Sequence, residues 1–247
     1  MATCSSSTLG SVTKRLQRRL PAKRAAKIVL TRIGSACSAG TIYNLNGVFN
    51  YLHVGWWLHA HGFDTSALVA TRNELFDRLA VQLQDREVLY LEFGVARGES
   101  IRYWSTLLRN PRSHLHGFDS FVGLPHDWSL EGHKRGDFST GGAPPEIEDP
   151  RVEFFAGWFE ETLPHYSWPE HEVLVVTLDA DLYSSTTTVL EFVKERLLPG
   201  SYLYFDQFHH RCDELRGFAE FLDENPFTFK LVGASRDLSN VMFQRLS

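Results

Sequence analysis

Short apolar runs and amphipathic stretches alternate through the second part of the chain. Runs typical of strands cover residues 88–93, 114–119, 151–156, 173–178, 201–205, 228–232 and 241–245. Helical periodicity follows several of them, at residues 101–108, 185–197 and 213–224. Strands that are apolar at consecutive positions are covered on both faces, as in a parallel sheet flanked by helices. The pattern predicts an α/β fold with a doubly wound, Rossmann-like sheet, whose ligand site lies at the carboxyl ends of the strands.

The part of the chain before residue 87 predicts helices and no strand. Residues 48–61 and 66–83 are typical of helices, and the small and polar residues at 34–46 suggest a linker. We therefore divide the chain into a basic leader at 1–40 that could be flexible, a helical amino-terminal cap at 41–86 and the main domain at 87–247.

A glycine turn follows the first apolar run of the main domain. Glu92 ends the run, and Gly94 and Gly98 come four residues apart just before a helical pattern. Gly94 allows a sharp turn, and Gly98 allows a ligand to approach the start of the helix, where free N–H groups favour an anion. The next run ends in Asp119, at the distance where such folds place a carboxylate on ribose hydroxyls. Together they predict a nucleotide-binding site.

Two further acids end neighbouring strands of the predicted sheet. Asp179 and Asp206 come directly after apolar runs, and Gln207 adds an amide oxygen. Oxygen ligands of this kind suit Mg²⁺. The alternative is that both acids cap the following helices. A general base at this edge would be Asp179 or His209, since a histidine titrates near neutral pH.

A long polar stretch at residues 126–149 interrupts the main domain between two predicted strands. Loops of this length in a compact domain are usually lids, binding loops or disordered segments. Its place beside the predicted ligand edge favours a lid.

Charge and cysteine content limit the possible partners. The chain has 247 residues with a formal net charge of −5, which argues against a general nucleic-acid binder. Its three cysteines are scattered, which favours a reducing compartment such as the cytoplasm. No apolar run is long enough for a transmembrane segment.

The leader at residues 1–40 contains eight basic residues and no acid. Three interpretations stay open: an organelle transit peptide, a solvated basic helix, or a surface helix that contacts anionic lipid or a partner.

Four sequence blocks follow one another in the main domain, at residues 91–98, 117–125, 157–164 and 178–186. Together they resemble the class I S-adenosylmethionine-dependent methyltransferases, and among them the macrocin O-methyltransferase-like family. The resemblance extends roughly over residues 89–245.

The resemblance implies a set of roles for residues at the strand ends. Glu92, Gly94 and Gly98 would hold the methionine part of S-adenosylmethionine, Asp119 its ribose, and Gly157 with Trp158 its adenine. Ser100 and Ser120 would complete the cofactor site. Mg²⁺ would be held by Asp179, Asp206 and Gln207, and the acceptor would be a small hydroxylated molecule such as a sugar. The pair Asp206-Gln207 departs from the two aspartates usual in the family, which weakens the expected metal site.

Alternative functions are a metal-independent small-molecule methyltransferase and a non-catalytic protein that binds S-adenosylmethionine. A homo-oligomer is compatible with the sequence, which carries no signal for or against one.

Overall fold

The computed structural model describes the backbone of residues 9–128 and 131–247, and the side chains from residue 22 onward within those ranges. Residues 1–8 of the predicted leader and residues 129–130 of the predicted loop lie outside the described residues. The chain divides into two compact units, Met1–Asn46 and Gly47–Ser247.

Seven α-helices and eight strands occur in the described residues. The helices are α1 (Leu9–Ala36), α2 (Ala39–Ala60), α3 (Arg72–Leu83), α4 (Glu99–Leu107), α5 (Phe159–Thr162), α6 (Tyr183–Val193) and α7 (Glu214–Glu224). The strands are β1 (Leu68–Val69), β2 (Val88–Phe93), β3 (His114–Asp119), β4 (Val152–Ala156), β5 (Val173–Leu178), β6 (Tyr202–Phe205), β7 (Phe229–Ser235) and β8 (Val241–Arg245). No described helix has the length and apolar character that crossing a membrane requires.

One eight-stranded sheet forms the centre of the second unit. Its strand order is β1-β7-β8-β6-β5-β2-β3-β4. Strand β8 is antiparallel to β6 and β7, and every other neighbouring pair is parallel. The doubly wound α/β fold predicted from the apolar runs is confirmed.

The two central strands explain why the sequence shows unbroken apolar runs. Every residue of β2 and β5 is buried. Successive side chains of a strand point to opposite faces, so Leu89 and Leu91 pack with α6 and α7, whereas Tyr90 packs with Phe76 and Trp104. Each large side chain buried in this way contributes about 1.5–3 kcal/mol to folding.

The prediction for the segment before residue 87 was partly wrong. The expected linker at 34–46 is mostly helical, because alanine favours helix and the Ser38 hydroxyl accepts the Thr41 backbone N–H at the start of α2. The expected helix at 66–83 begins only at Arg72, where Thr71 caps α3. The residues before it form β1, which pairs with β7.

Candidate active site

A cavity of about 850 Å³ lies at the carboxyl ends of the strands. The residues that follow or end four neighbouring strands line it, as the fold predicts: Gly94 after β2, Asp119 at the end of β3, Gly157 after β4 and Asp179 after β5. The other residues of the cofactor prediction on this lining are Glu92, Ser100, Ser120 and Trp158.

Gly94 is required by a close approach of two strands. Its φ is 87°, and a Cβ atom there would lie 1.9 Å from the backbone carbonyl oxygen of Asp179. The two backbone segments can approach this closely only because the side chain is absent.

The sequence predicts a ligand next to Gly98, but the structure places a proline side chain there. It precedes α4 with a φ of 72°, and a Cβ atom there would lie 2.7 Å from Cγ of Pro145, in the long loop. Gly98 is therefore covered by protein, although Glu99 and Ser100 beside it line the cavity.

Asp119 holds the glycine turn in shape. One carboxylate oxygen accepts the backbone N–H groups of Val95 and Ala96, both at 2.8 Å, and the other accepts that of Phe121 at 2.7 Å. A carboxylate has about four acceptor positions, so one remains for a ligand hydroxyl.

Glu92 is buried at the end of β2 and accepts a hydrogen bond from the Tyr90 hydroxyl at 2.7 Å. Burial raises the pKa of Glu92 to about 8, because the charged form loses its hydration. A cationic group in the cavity would favour the ionised form.

A group of buried acids surrounds the predicted metal position. Burial, and next the charge of Asp206, raise the pKa of Asp179 well above its usual range. Burial likewise raises the pKa of Asp181 to about 7 and that of Glu214 well above its usual range. A site with this excess of carboxylates is suited to a cation.

Gln207 lies among these acids and lines the cavity. Its backbone N–H donates to Glu214 at 2.9 Å, whereas its side-chain Oε1 is buried without a hydrogen-bond partner in the described part of the chain. An amide oxygen left in this state fits either a metal ion or a ligand donor.

Asp206 is turned toward the protein. It is absent from the cavity lining, and its Oδ1 accepts from the Tyr204 hydroxyl at 2.7 Å and the Asn240 amide at 3.1 Å. The Arg72 guanidinium lies 3.5 Å from the same oxygen. Within the described residues, no three His, Cys, Asp or Glu side chains are already arranged to hold a metal. Asp179 and Gln207, which do line the cavity, carry oxygen donors of the kind that Mg²⁺ takes.

His209, the alternative general base, is also absent from the cavity lining. Its ring stacks on Tyr51 with centroids 4.8 Å apart, and burial lowers its pKa. Asp179 is the better placed of the two bases.

The long loop contributes to the cavity wall. Arg135, Phe138 and Ser139 of this loop line it. The loop is bound to the residues before it by the Leu124 backbone N–H, which donates to the Asp137 carbonyl oxygen at 3.0 Å. The Trp128 indole donates to Asp213, in the β6–α7 connection, at 3.0 Å.

Several cavity residues were missed by sequence reasoning. They are Arg72, Arg97, Phe138, Phe159 and Glu160. For Arg72 the local signal is the Thr71 cap, which marks it as the first residue of α3. Arg97, Phe159 and Glu160 lie within the sequence blocks 91–98 and 157–164, which assign them no role. Phe138 follows no motif, because only the folded loop brings it to the cavity.

Comparison with known proteins agrees with the fold. Residues 144–241 match the family model of macrocin O-methyltransferase. A 4′-O-methyltransferase of 8-demethyl-8-(2,3-dimethoxy-α-L-rhamnosyl)-tetracenomycin C from Streptomyces olivaceus is 31% identical over 141 residues, covering 48% of this chain and 52% of that protein. A mycinamicin III 3″-O-methyltransferase from Micromonospora griseorubida is 34% identical over 94 residues, covering 38% of this chain and 34% of that protein.

The chain thus spans about half or less of the length of these relatives. Among solved structures, the calicheamicin methyltransferase CalS11 superposes with a TM-score of 0.57 at 22% identity, covering 70% of this chain and 78% of that one. The Rossmann-like fold is thus shared with a solved methyltransferase structure, and residues 144–241 are similar to the macrocin O-methyltransferase family.

Proposed function

We propose that this protein is an S-adenosylmethionine-dependent O-methyltransferase that acts on a hydroxyl of a sugar or another polyhydroxylated natural product. The observation that carries the proposal is the cavity at the strand ends, lined by the glycine turn and by Asp179, in a chain with the family match. The two relatives, named for methylation of a rhamnosyl compound and of mycinamicin III, support the acceptor class.

The proposed donor site follows the order of the strand ends. Glu92, Gly94 and Ser100 would contact the methionine end, with Gly98 shaping the start of α4. Asp119 and Ser120 would bind the ribose, and Gly157 with Trp158 would border the adenine. S-adenosylmethionine supplies an activated methyl group, so the protein needs only to align the acceptor oxygen and take its proton.

Asp179 is the proposed general base. Asp179 lines the cavity at the end of β5, where the proposed donor and acceptor would meet. His209 is the second candidate and would need its ring to leave Tyr51.

Asp179, Asp206 and Gln207 are the proposed ligands of Mg²⁺. The metal would lower the pKa of an acceptor hydroxyl bound to it. Glutamine in place of a second aspartate removes one negative charge, so we expect weaker metal binding than at a site with three carboxylates.

The cytoplasm is the proposed compartment, with organelle targeting as the alternative. Cys37 and Cys212 are free thiols, in agreement with a reducing environment. A small-molecule acceptor is the expected partner. Self-association is compatible with the proposal and does not enter it.

Calorimetric titration with S-adenosylmethionine tests the proposal, first with Mg²⁺ and then after chelation. We expect donor binding in both conditions and a separate heat of Mg²⁺ binding that Asp206→Ala abolishes. Absence of donor binding in both conditions would contradict the proposal.

Methyl transfer to a panel of glycosides separates the remaining alternatives. Turnover that survives chelation would indicate a metal-independent enzyme. Donor binding without turnover on any acceptor would favour a non-catalytic binding protein.

A further inference from the structure

The cavity contains a buried carboxyl group and a guanidinium near the glycine turn. Glu92 is the last residue but one of β2, and Arg72 is the first residue of α3; both residues line the cavity. The positive charge of Arg72 lowers the pKa of Glu92, against the larger effect of burial.

Arg72 is bound to one group that a ligand can replace. Its Nη2 donates to Glu99, the first residue of α4, at 2.9 Å, and the Glu99 side chain is 76% exposed. An ion pair this exposed contributes little, about 0–1 kcal/mol. Its second contact, to Asp206, is longer at 3.5 Å. The guanidinium can therefore exchange the Glu99 carboxylate for another one without a large cost.

Strand pairing at the edge of the sheet and the cap of α3 hold the backbone at Arg72 in place. Strand β1 pairs with β7, and the Thr71 hydroxyl caps α3 by accepting the Glu74 backbone N–H at 3.2 Å. Glu74 in turn accepts the Ala70 backbone N–H at 2.9 Å. These bonds hold the start of α3 next to the cavity.

We propose that Arg72 binds the α-carboxylate of the methionine end of the donor, while Glu92 faces its α-ammonium group. A carboxyl group and a guanidinium on one cavity wall match the ammonium and carboxylate groups of an amino acid. The planar guanidinium can donate two parallel hydrogen bonds to one carboxylate. The inference rests on the proposed function, because it assigns one end of the same donor.

Two ligands that differ in the amino-acid end test the assignment. S-adenosylhomocysteine has this end, and 5′-methylthioadenosine lacks it. By calorimetry we expect Arg72→Gln to weaken binding of S-adenosylhomocysteine by about 10- to 100-fold and to leave binding of 5′-methylthioadenosine unchanged. Arg72→Lys should recover part of the loss, because it keeps the charge without the fork.

Two further variants complete the experiment. Arg78→Gln removes the same charge from an exposed position on α3 and should change neither affinity. Glu99→Gln removes the internal competitor and should leave binding of S-adenosylhomocysteine equal or tighter. Thermal unfolding of each variant verifies that α3 is intact.

The outcomes separate this inference from the proposed function. Equal weakening of both ligands by Arg72→Gln, or no change in either, would overturn the assignment of Arg72 while donor binding stands. Failure of the unaltered protein to bind either ligand would overturn the proposed function itself.

Discussion

At the level of single residues, the cavity depends on carboxyl groups held in surroundings that disfavour their charge. Glu92 and Asp179 both line it, and burial is the largest cause of the raised pKa of each. Such groups are common at functional sites, since a ligand or metal cation can supply the missing stabilisation. Two predictions follow from their separate environments.

Glu92 makes folding stability depend on pH. Its pKa is about 8 in the folded protein against 4.5 for the unperturbed group, so the folded state binds the proton more tightly. The stabilising contribution is complete below pH 4.5 and is lost as the pH rises through about 8. Glu92→Gln keeps an acceptor for Tyr90 and does not titrate. Between pH 5 and 8 its unfolding free energy should fall less than that of the unaltered protein, by an amount on the order of 1–4 kcal/mol.

Urea denaturation at pH 5, 6, 7 and 8 measures this difference. If the unfolding free energies of the two proteins change equally with pH over the whole range, the buried, protonated state of Glu92 is contradicted.

Asp179→Asn tests the proposed base while preserving the size of the side chain. We expect methyl transfer to fall about 10²- to 10⁴-fold, with donor affinity nearly unchanged. Folding stability should stay equal or increase, because the Asp206 charge no longer acts on a second carboxylate. Steady-state kinetics, donor titration and thermal unfolding measure the three quantities. Asp223→Asn, at an exposed position on α7, is the control and should keep full activity. Full activity of Asp179→Asn would exclude Asp179 as the base.

At the level of elements, the loop between β3 and β4 forms part of the cavity wall. This loop has little regular structure and is held by backbone bonds between its own turns. Gly123 lies in one of these turns and has no room for a side chain. A Cβ atom there would lie 2.3 Å from the carbonyl oxygen of Asp137. The loop therefore closes only with glycine at this position.

Gly123→Ala should open the loop without unfolding the sheet. Gly136→Ala is a matched control, because both glycines have a φ near +90° and only Gly123 has atoms in the way of a Cβ. The conformational strain of about 1–2 kcal/mol is common to both variants. We expect Gly123→Ala alone to weaken donor binding and to speed limited proteolysis within residues 120–151. Equal behaviour of the two variants would show that the contact with Asp137 is unimportant.

At the level of the whole molecule, the second unit contains its own core. All buried apolar residues in the described part of the chain lie at Val54 or beyond, and they pack on both faces of the sheet. Residues 22–46, the part of the first unit whose side chains are described, contribute none of them. Folding of the second unit should therefore be independent of the first.

A shortened protein of residues 47–247 tests this independence. It should unfold cooperatively at a temperature within about 4 °C of the full chain, corresponding to about 1 kcal/mol at this size. Differential scanning calorimetry of both proteins gives the comparison. Loss of the cooperative transition would mean that residues 1–46 support the core.

The sequence by itself determined where strands β2 to β8 lie along the chain. It also determined the glycine turn at Gly94 and the positions of the carboxylates Asp119 and Asp179 at the strand ends. These features are local, since an apolar run, a glycine and a following acid are adjacent in the chain, and parallel strands bring their carboxyl ends to one edge. The turn of Asp206 toward Tyr204 was decided only by tertiary structure.

Tertiary structure alone also decided what completes the cavity. The antiparallel insertion of β8, the pairing of β1 with β7 and the entry of Arg72 beside Asp206 depend on contacts between residues far apart in sequence. The stacking of His209 on Tyr51 is of the same kind. Local periodicity carries no information about which distant side chain fills a space, because that choice depends on packing of the folded chain.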